Sequence, residues 1–284
     1  MVYCPICLSA TDHIGQKNGY EIGKCSSCGH IFVVNTPDEA TLHGVYKKYS
    51  FEHRSLDKIP PYVFNRLAKT LLKFDKYRKN NNFLDVGFGA GSMLYSAQKA
   101  GWNVYGVEKS ELAVKQAIQN GFRNIVLGDF LKTDFDIEFD VVVLDGTLEH
   151  LLNPLEFIEK ARRLLRRGGL LYITTPNGNG VTSRLLKMDW SPIDPPEHVN
   201  IFCPRSIRNA LRGFSDIKID TEGFNIYEIK KYFSGGKSKT YAEYIKANAA
   251  INNNKTASAI RDAINLIMRA FGSGDTLKIH AIKE

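Results

Sequence analysis

The stretch Phe83-Leu84-Asp85-Val86-Gly87-Phe88-Gly89-Ala90-Gly91-Ser92 constrains the fold of this 284-residue chain more than any other. A short apolar run, read as a buried strand, ends in glycines at every second position, and a helical pattern starts at about Ser92. Glycine has no Cβ and tolerates positive φ, so such a turn lets backbone come close to a ligand. The dinucleotide fingerprint places glycines at relative positions one, three and six. Here they fall at one, three and five, with Ser92 in the sixth place. Glu108 ends the next apolar run, 21 residues beyond Gly87. A carboxylate there can accept hydrogen bonds from ribose hydroxyls.

From Phe83 onward, strand and helix patterns alternate. Helices are expected over Ser92 to Ala100, after Ser110 and from Asn153-Pro154 to about Arg166; strands end at Glu108, at Leu127 and at Leu144. A fifth strand is expected over Leu170 to Thr174, after Gly168-Gly169. Apolar strands alternating with helices predict a parallel sheet covered on both faces. Ligands in such sheets sit outside the carboxyl ends of the strands, where Gly87, Glu108, Asp129 and Asp145 all fall. The span Thr175 to Val199, rich in proline and glycine, reads as a loop. Pro204 to Leu211 reads as a helix, Ile217 to Ile226 as a sixth strand and Leu277 to Ile282 as the last. Between these two strands lies a polar helical insert over 232–271.

Cys4-Pro5-Ile6-Cys7 and Cys25-Ser26-Ser27-Cys28 form two C-x2-C pairs separated by 17 residues. That spacing predicts a structural zinc site of four thiolates, Cys4, Cys7, Cys25 and Cys28. Two disulfides are the alternative, disfavoured where no secretion signal is read. His13 and His30 are spare donors. A ribbon of about 35 residues has too little core to fold without such a staple.

Several stations together resemble class I S-adenosylmethionine-dependent methyltransferases. Leu84 to Ser92 resembles the first motif of that family, and Glu108 its ribose-binding acid. Gly128-Asp129-Phe130 resembles the station where an acid meets the adenine amine and an apolar ring covers the base. Val143 to His150 resembles the strand tip that faces the methionine end. The resemblance implies S-adenosylmethionine as cofactor, held by Asp85, Gly87, Phe88, Gly89, Gly91, Glu108, Asp129, Phe130 and Asp145. It implies an α/β, Rossmann-like, mostly parallel sheet of seven strands with the last pair antiparallel. The zinc ribbon precedes that sheet, and the helical insert comes before its last strand. The organisation expected is a ribbon over 1–35, a connector and helix over 36–82, the core over 83–231, the insert over 232–271 and the last strand over 272–284. The insert is expected to be a cap or a homodimer surface.

Asp194-Pro195-Pro196-Glu197-His198-Val199-Asn200-Ile201-Phe202, taken with the cysteine ribbon, is similar to bacterial methyltransferases that modify sugars and other small molecules. The resemblance implies a sugar or sugar-nucleotide hydroxyl as acceptor, with nitrogen or carbon as other acceptor atoms. His198 and His150 are the candidate bases, with Glu197 to orient either one; a structural pin for the loop is the competing role of His198. The formal charge of +8, less the −2 of a four-thiolate zinc site, leaves about +6 and favours anionic partners. RNA held by the ribbon and basic surface is therefore the alternative substrate. No run of 18 apolar residues is found, so no membrane span is expected, and the compartment expected is the cytoplasm.

Overall fold

A computed structural model describes residues 2–38, 40–42, 44, 56–223, 226–234 and 255–284. The aromatic connector residues Tyr46, Tyr49, Phe51 and His53, and the middle of the insert over 235–254, lie outside the described residues. The chain forms two compact units.

One unit comprises Pro37–Thr174, Ala210–Lys218 and Ile279–Glu284. It carries the parallel strands β4 (Asn82–Val86), β5 (Asn103–Glu108), β6 (Asn124–Leu127), β7 (Phe139–Asp145) and most of β8 (Leu165–Pro176). Each of the pairs β4–β5, β4–β7, β5–β6 and β7–β8 is parallel. With β10 (Phe214–Glu222) and β11 (Thr276–Lys283) they form a seven-stranded sheet in the order β10-β11-β8-β7-β4-β5-β6, mostly parallel with an antiparallel end pair. The central strand β7 is buried from Phe139 to Leu144, as a run apolar apart from Asp140 predicts. The equally apolar β6 is the sheet edge, and Leu127 is 49% exposed.

Helix Pro61–Leu72 starts on Pro61, where a missing N–H costs nothing, and turns Leu67 and Leu71 inward. Ser110 caps helix Glu111–Gln119 by accepting from the Ala113 N–H. Helix Pro154–Leu164 ends earlier than the sequence suggests, and β8 begins at Leu165 and runs through Gly168-Gly169. A Cβ on Gly169 would lie 2.9 Å from the Arg166 carbonyl. These glycines therefore permit a tight strand entry and do not separate the elements. Beneath them, Asp140 is fully buried; it pairs with Arg166 at 2.5 Å and accepts the N–H groups of Lys79, Asn80 and Asn81. Those bonds compensate a buried charge that would otherwise be costly.

The second unit comprises Met1–Thr36, Thr175–Asn209 and Ile219–Lys278. Its four-stranded sheet runs β1 (Thr11–Lys17), β2 (Tyr20–Cys25), β3 (Ile31–Val33), β9 (Asn200–Ile201). The span read as a loop over 175–199 contains a helix, Val181–Leu186. Its first turn is held by Asp275, whose carboxylate accepts from the Thr182 N–H at 3.0 Å and from the Thr182 hydroxyl. Helices Ile226–Phe233 and Lys255–Ala270 frame the described parts of the insert. Among the described residues, no helix is long and apolar enough to cross a membrane.

Candidate functional site

Strand β4 ends at Val86, and Gly87, Gly89 and Gly91 follow with φ of +71°, +53° and +77°. Those values are accessible to glycine at little cost, which explains the alternation. A Cβ on Gly87 would come within 3.0 Å of the Thr147 side chain, whose hydroxyl donates to the Val86 carbonyl at 2.9 Å. The turn and the tip of β7 are thereby locked together.

The Glu108 carboxylate closes the same turn from β5. It accepts from Gly89 N–H at 3.0 Å, Lys109 N–H at 2.7 Å and Ser110 N–H at 3.0 Å. The spacing of 21 residues thus reflects a direct contact between an acid and the glycine turn.

A cavity of ≈260 Å³ opens at these strand tips. Asp85, Gly87, Phe88, Gly89, Glu108, Phe130 and Asp145 line it. Asp85 is 2% exposed, and its carboxyl is pushed well above the usual carboxylate range. Burial is the main cause, followed by the Asp145 and Glu108 carboxylates. Asp145 accepts the Thr174 hydroxyl. Three acids therefore converge on one cavity, an environment complementary to a cationic ligand.

The far wall is aromatic. Phe130 is 2% exposed and packs on Phe157 with ring centroids 5.3 Å apart. Lys160 donates to the Leu131 carbonyl at 3.0 Å and the Thr133 carbonyl at 2.6 Å, which fixes the turn carrying Phe130. The Asp129 carboxylate accepts the Leu131 N–H at 2.9 Å and meets Lys109 at 3.0 Å. Burial opposes its ionisation, but these two partners hold its carboxyl below the ordinary value. Gly91 stands at the helix start behind the turn. His150 lines the cavity, and its N–H donates to the Thr147 carbonyl at 3.1 Å.

Two contributors escaped the sequence reading. Thr147 is one. Gly106 is the other: a Cβ there would lie 2.7 Å from Phe88, so this strand glycine makes room for the ring that lines the cavity. A glycine inside an apolar strand signals such an approach.

In the other unit, the sulfurs of Cys4, Cys7, Cys25 and Cys28 all lie within 4.8 Å of one another, and all five cysteines are free thiols. The Ile6 N–H points at Cys4 Sγ (3.4 Å) and the Cys28 N–H at Cys25 Sγ (3.3 Å). N–H groups aimed at sulfur stabilise thiolates, and the donor set fits a four-thiolate zinc site. Burial pushes the Cys4 thiol up to about 11 and the Cys28 thiol up further. At Cys7, burial is outweighed by hydrogen bonds from Ser9, leaving a value of about 6. A metal ion bound here would therefore displace protons. His13 pairs with Glu21 and His30 with Asn200, apart from the thiol cluster. Glu197 and His198 also belong to this unit. Their N–H groups both donate to the Asp194 carbonyl, and His198 Nδ1 lies 2.8 Å from the Pro192 carbonyl oxygen.

Comparison with known proteins agrees with this geometry. Ubiquinone biosynthesis O-methyltransferase of Maricaulis maris is 29% identical over 143 residues, 45% of this chain and 56% of that protein. The protein of that name from Roseobacter denitrificans is 25% identical over 181 residues, 60% of this chain and 73% of that one. The chain spans about half the length of the first curated relatives it matches. Among solved structures, a methyltransferase from Archaeoglobus fulgidus superposes with a TM-score of 0.53 at 23% identity, covering 87% of this chain and all of that one. One from Thermotoga maritima gives 0.55 at 15% identity, covering 86% and 100%. A family model described as a methyltransferase domain matches residues 61–215. The chain belongs to that methyltransferase family, with the class I S-adenosylmethionine-dependent fold.

Proposed function

We propose that the chain transfers the methyl group of S-adenosylmethionine to an oxygen of an anionic or sugar-linked small molecule. The observation that carries this reading is the convergence of Asp85, Glu108 and Asp145 on a glycine-turn cavity. Such a site complements a ligand that brings a sulfonium and an ammonium, and it repels the pyrophosphate of a dinucleotide. Gly87 to Gly91 would pass beneath the methionine and ribose. Glu108 would meet the ribose hydroxyls, Asp129 the adenine amine, and Phe130 the face of the base.

When bound, the cofactor supplies an electrophilic methyl group for in-line displacement. The residues of the chain align the acceptor and remove its proton. His150 offers a ring nitrogen at the cavity wall for that proton. His198, with Glu197 to orient it, is the second candidate base under this proposal. An oxygen acceptor agrees with relatives named O-methyltransferases. The sugar reading rests on the ribbon and the 194–202 stretch. The name of those relatives favours a second reading, an oxygen of an intermediate in ubiquinone biosynthesis. RNA has only the basic charge behind it. The four cysteines hold a structural zinc, which leaves no open coordination position for chemistry. The insert serves as a cap or dimer surface.

Calorimetry with S-adenosylhomocysteine tests the cofactor site without knowledge of the acceptor. Glu108→Ala removes a charged acceptor, so a loss of roughly 1.5–3 kcal/mol is expected, or about ten- to a hundredfold in affinity. Unchanged affinity, or preferential binding of NAD, would refute the assignment.

A further inference from the structure

The ribbon grips one segment of its own unit from end to end. Lys17 Nζ donates to the carbonyls of Met188 at 2.8 Å and Trp190 at 3.3 Å. Asn18 donates to Asp194 Oδ1 at 3.0 Å and to the Pro195 carbonyl at 2.8 Å. The Val33 N–H bonds to the Val199 carbonyl at 3.0 Å, and β3 pairs with β9 through Phe32 opposite Asn200 and Ile31 opposite Ile201. His30, fully buried, meets Asn200 Oδ1 at 3.0 Å and Phe202 at 4.6 Å between ring centroids. Cys203 Sγ donates to the carbonyl of Cys28 at 3.0 Å, and Arg205 to that of Ser27 at 2.9 Å.

Every ribbon residue in this grip lies between Lys17 and Val33, around the second cysteine pair. The gripped segment, 188–205, has little regular structure of its own beyond short turns, the two-residue β9 and the start of helix Pro204–Ala210. Outside the ribbon it is held by the Gly178 N–H on the Phe202 carbonyl and by the Glu228 carboxylate on the Ser191 N–H, so its order depends mostly on the ribbon as its neighbour. That neighbour is too small to hold itself without cross-links.

We infer that the four-cysteine site positions residues 188–205, and with them Glu197 and His198. Resting on the zinc and His198 readings above, this goes beyond them: the metal controls the placement of a side chain carried on a segment that contains none of its ligands. Zinc removal frees the grip on 188–205 while the glycine-turn cavity keeps its ligand.

The test uses the full-length protein as purified, before and after stripping with a chelator under reducing conditions. Metal analysis comes first. Trp190, 1% exposed, is the reporter in the segment, and Trp190→Phe identifies its share of the fluorescence. Stripping is expected to red-shift Trp190 emission and to speed hydrogen exchange over 188–203 at least about tenfold. Affinity for S-adenosylhomocysteine should stay within about threefold. Lys17→Met, which touches no cysteine, should keep its zinc and reproduce the shift and faster exchange around Met188 and Trp190. A chain that carries no zinc would overturn the metal reading and this one with it. Zinc present, with emission and exchange indifferent to its removal, would overturn this inference alone. So would exchange that rises equally over 83–145, since the metal would then stabilise the whole chain.

Discussion

The glycine-turn cavity and the ribbon-gripped segment are built on opposite principles. In the cavity, most of the machinery is close in sequence: Gly89 bonds Glu108 across 19 residues, and Asp129 bonds Leu131 across two. In the second unit, Lys17 reaches Met188 across 171 residues and His30 reaches Asn200 across 170. The first arrangement follows from strand ends and glycine conformations that any parallel sheet supplies. The second exists only once distant parts of the chain have met, and its long loop closures must be offset by contacts. A local site should fail locally when damaged, whereas a long-range grip should fail as a unit.

Gly106→Ala should damage the local site by packing alone. The added methyl would lie 2.7 Å from Phe88 and 3.0 Å from Ile125, so the ring must move into the cavity. Overpacking of this kind costs about 1–3 kcal/mol, and affinity for S-adenosylhomocysteine should fall about tenfold as the cavity narrows. Thermal unfolding and calorimetry check both parts; a variant with native affinity would mean that Phe88 does not shape the cavity.

Asn200→Ala is the matching cut in the long-range grip. It strips the His30 ring of its hydrogen-bond partner in a fully buried place, at a cost of about 1–3 kcal/mol. Burial holds the pKa of His30 down to about 4, so a neutral ring must find another partner. Hydrogen exchange should quicken across β3 and β9 together, with cofactor affinity unchanged. A change confined to the substituted residue would break the contrast between the two regions.

Asp85→Asn gives the smallest effect, visible as a pH dependence. The folded-state pKa of Asp85 is raised well above the ordinary carboxylate value of 3.8 by burial and by Asp145 and Glu108. Below that value the carboxyl is neutral whether the chain is folded or not, and it costs nothing. As pH rises, the unfolded chain ionises first and the fold loses stability until the folded pKa is passed. The amide has no such penalty, so the ligand-free variant should melt higher than the parent at pH 8 and about equally near pH 3. An equal difference at both pH values would show that Asp85 does not carry this penalty.

Local chemistry made the first region legible. Positive φ demands glycine, an acid follows one strand later, and C-x2-C pairs announce their own geometry. What stayed hidden depends on neighbours that sequence order does not reveal. The apolar run Ile125-Val126-Leu127 reads as buried, yet its strand is last in the sheet. Helix Val181–Leu186 hides in a glycine- and proline-rich span because its first turn is fixed by Asp275. Gly168-Gly169 reads as a break between helix and strand but lies inside the strand. The stretch from Asp194 to Phe202 stands out in the sequence, and its grip by Asn18, His30 and Val33 is seen only in the fold.

The three N–H groups gathered by Glu108 have a consequence for how the glycine-turn cavity can evolve. A carboxylate offers about four in-plane acceptor directions, and the chain itself occupies three. The residue that would recognise the nucleoside is therefore also the buckle that fastens the turn beneath it. Selection for a different nucleoside cannot exchange this acid freely, because Gly89, Lys109 and Ser110 would each lose a partner at once. Drift in such a lineage should therefore keep the nucleoside fixed.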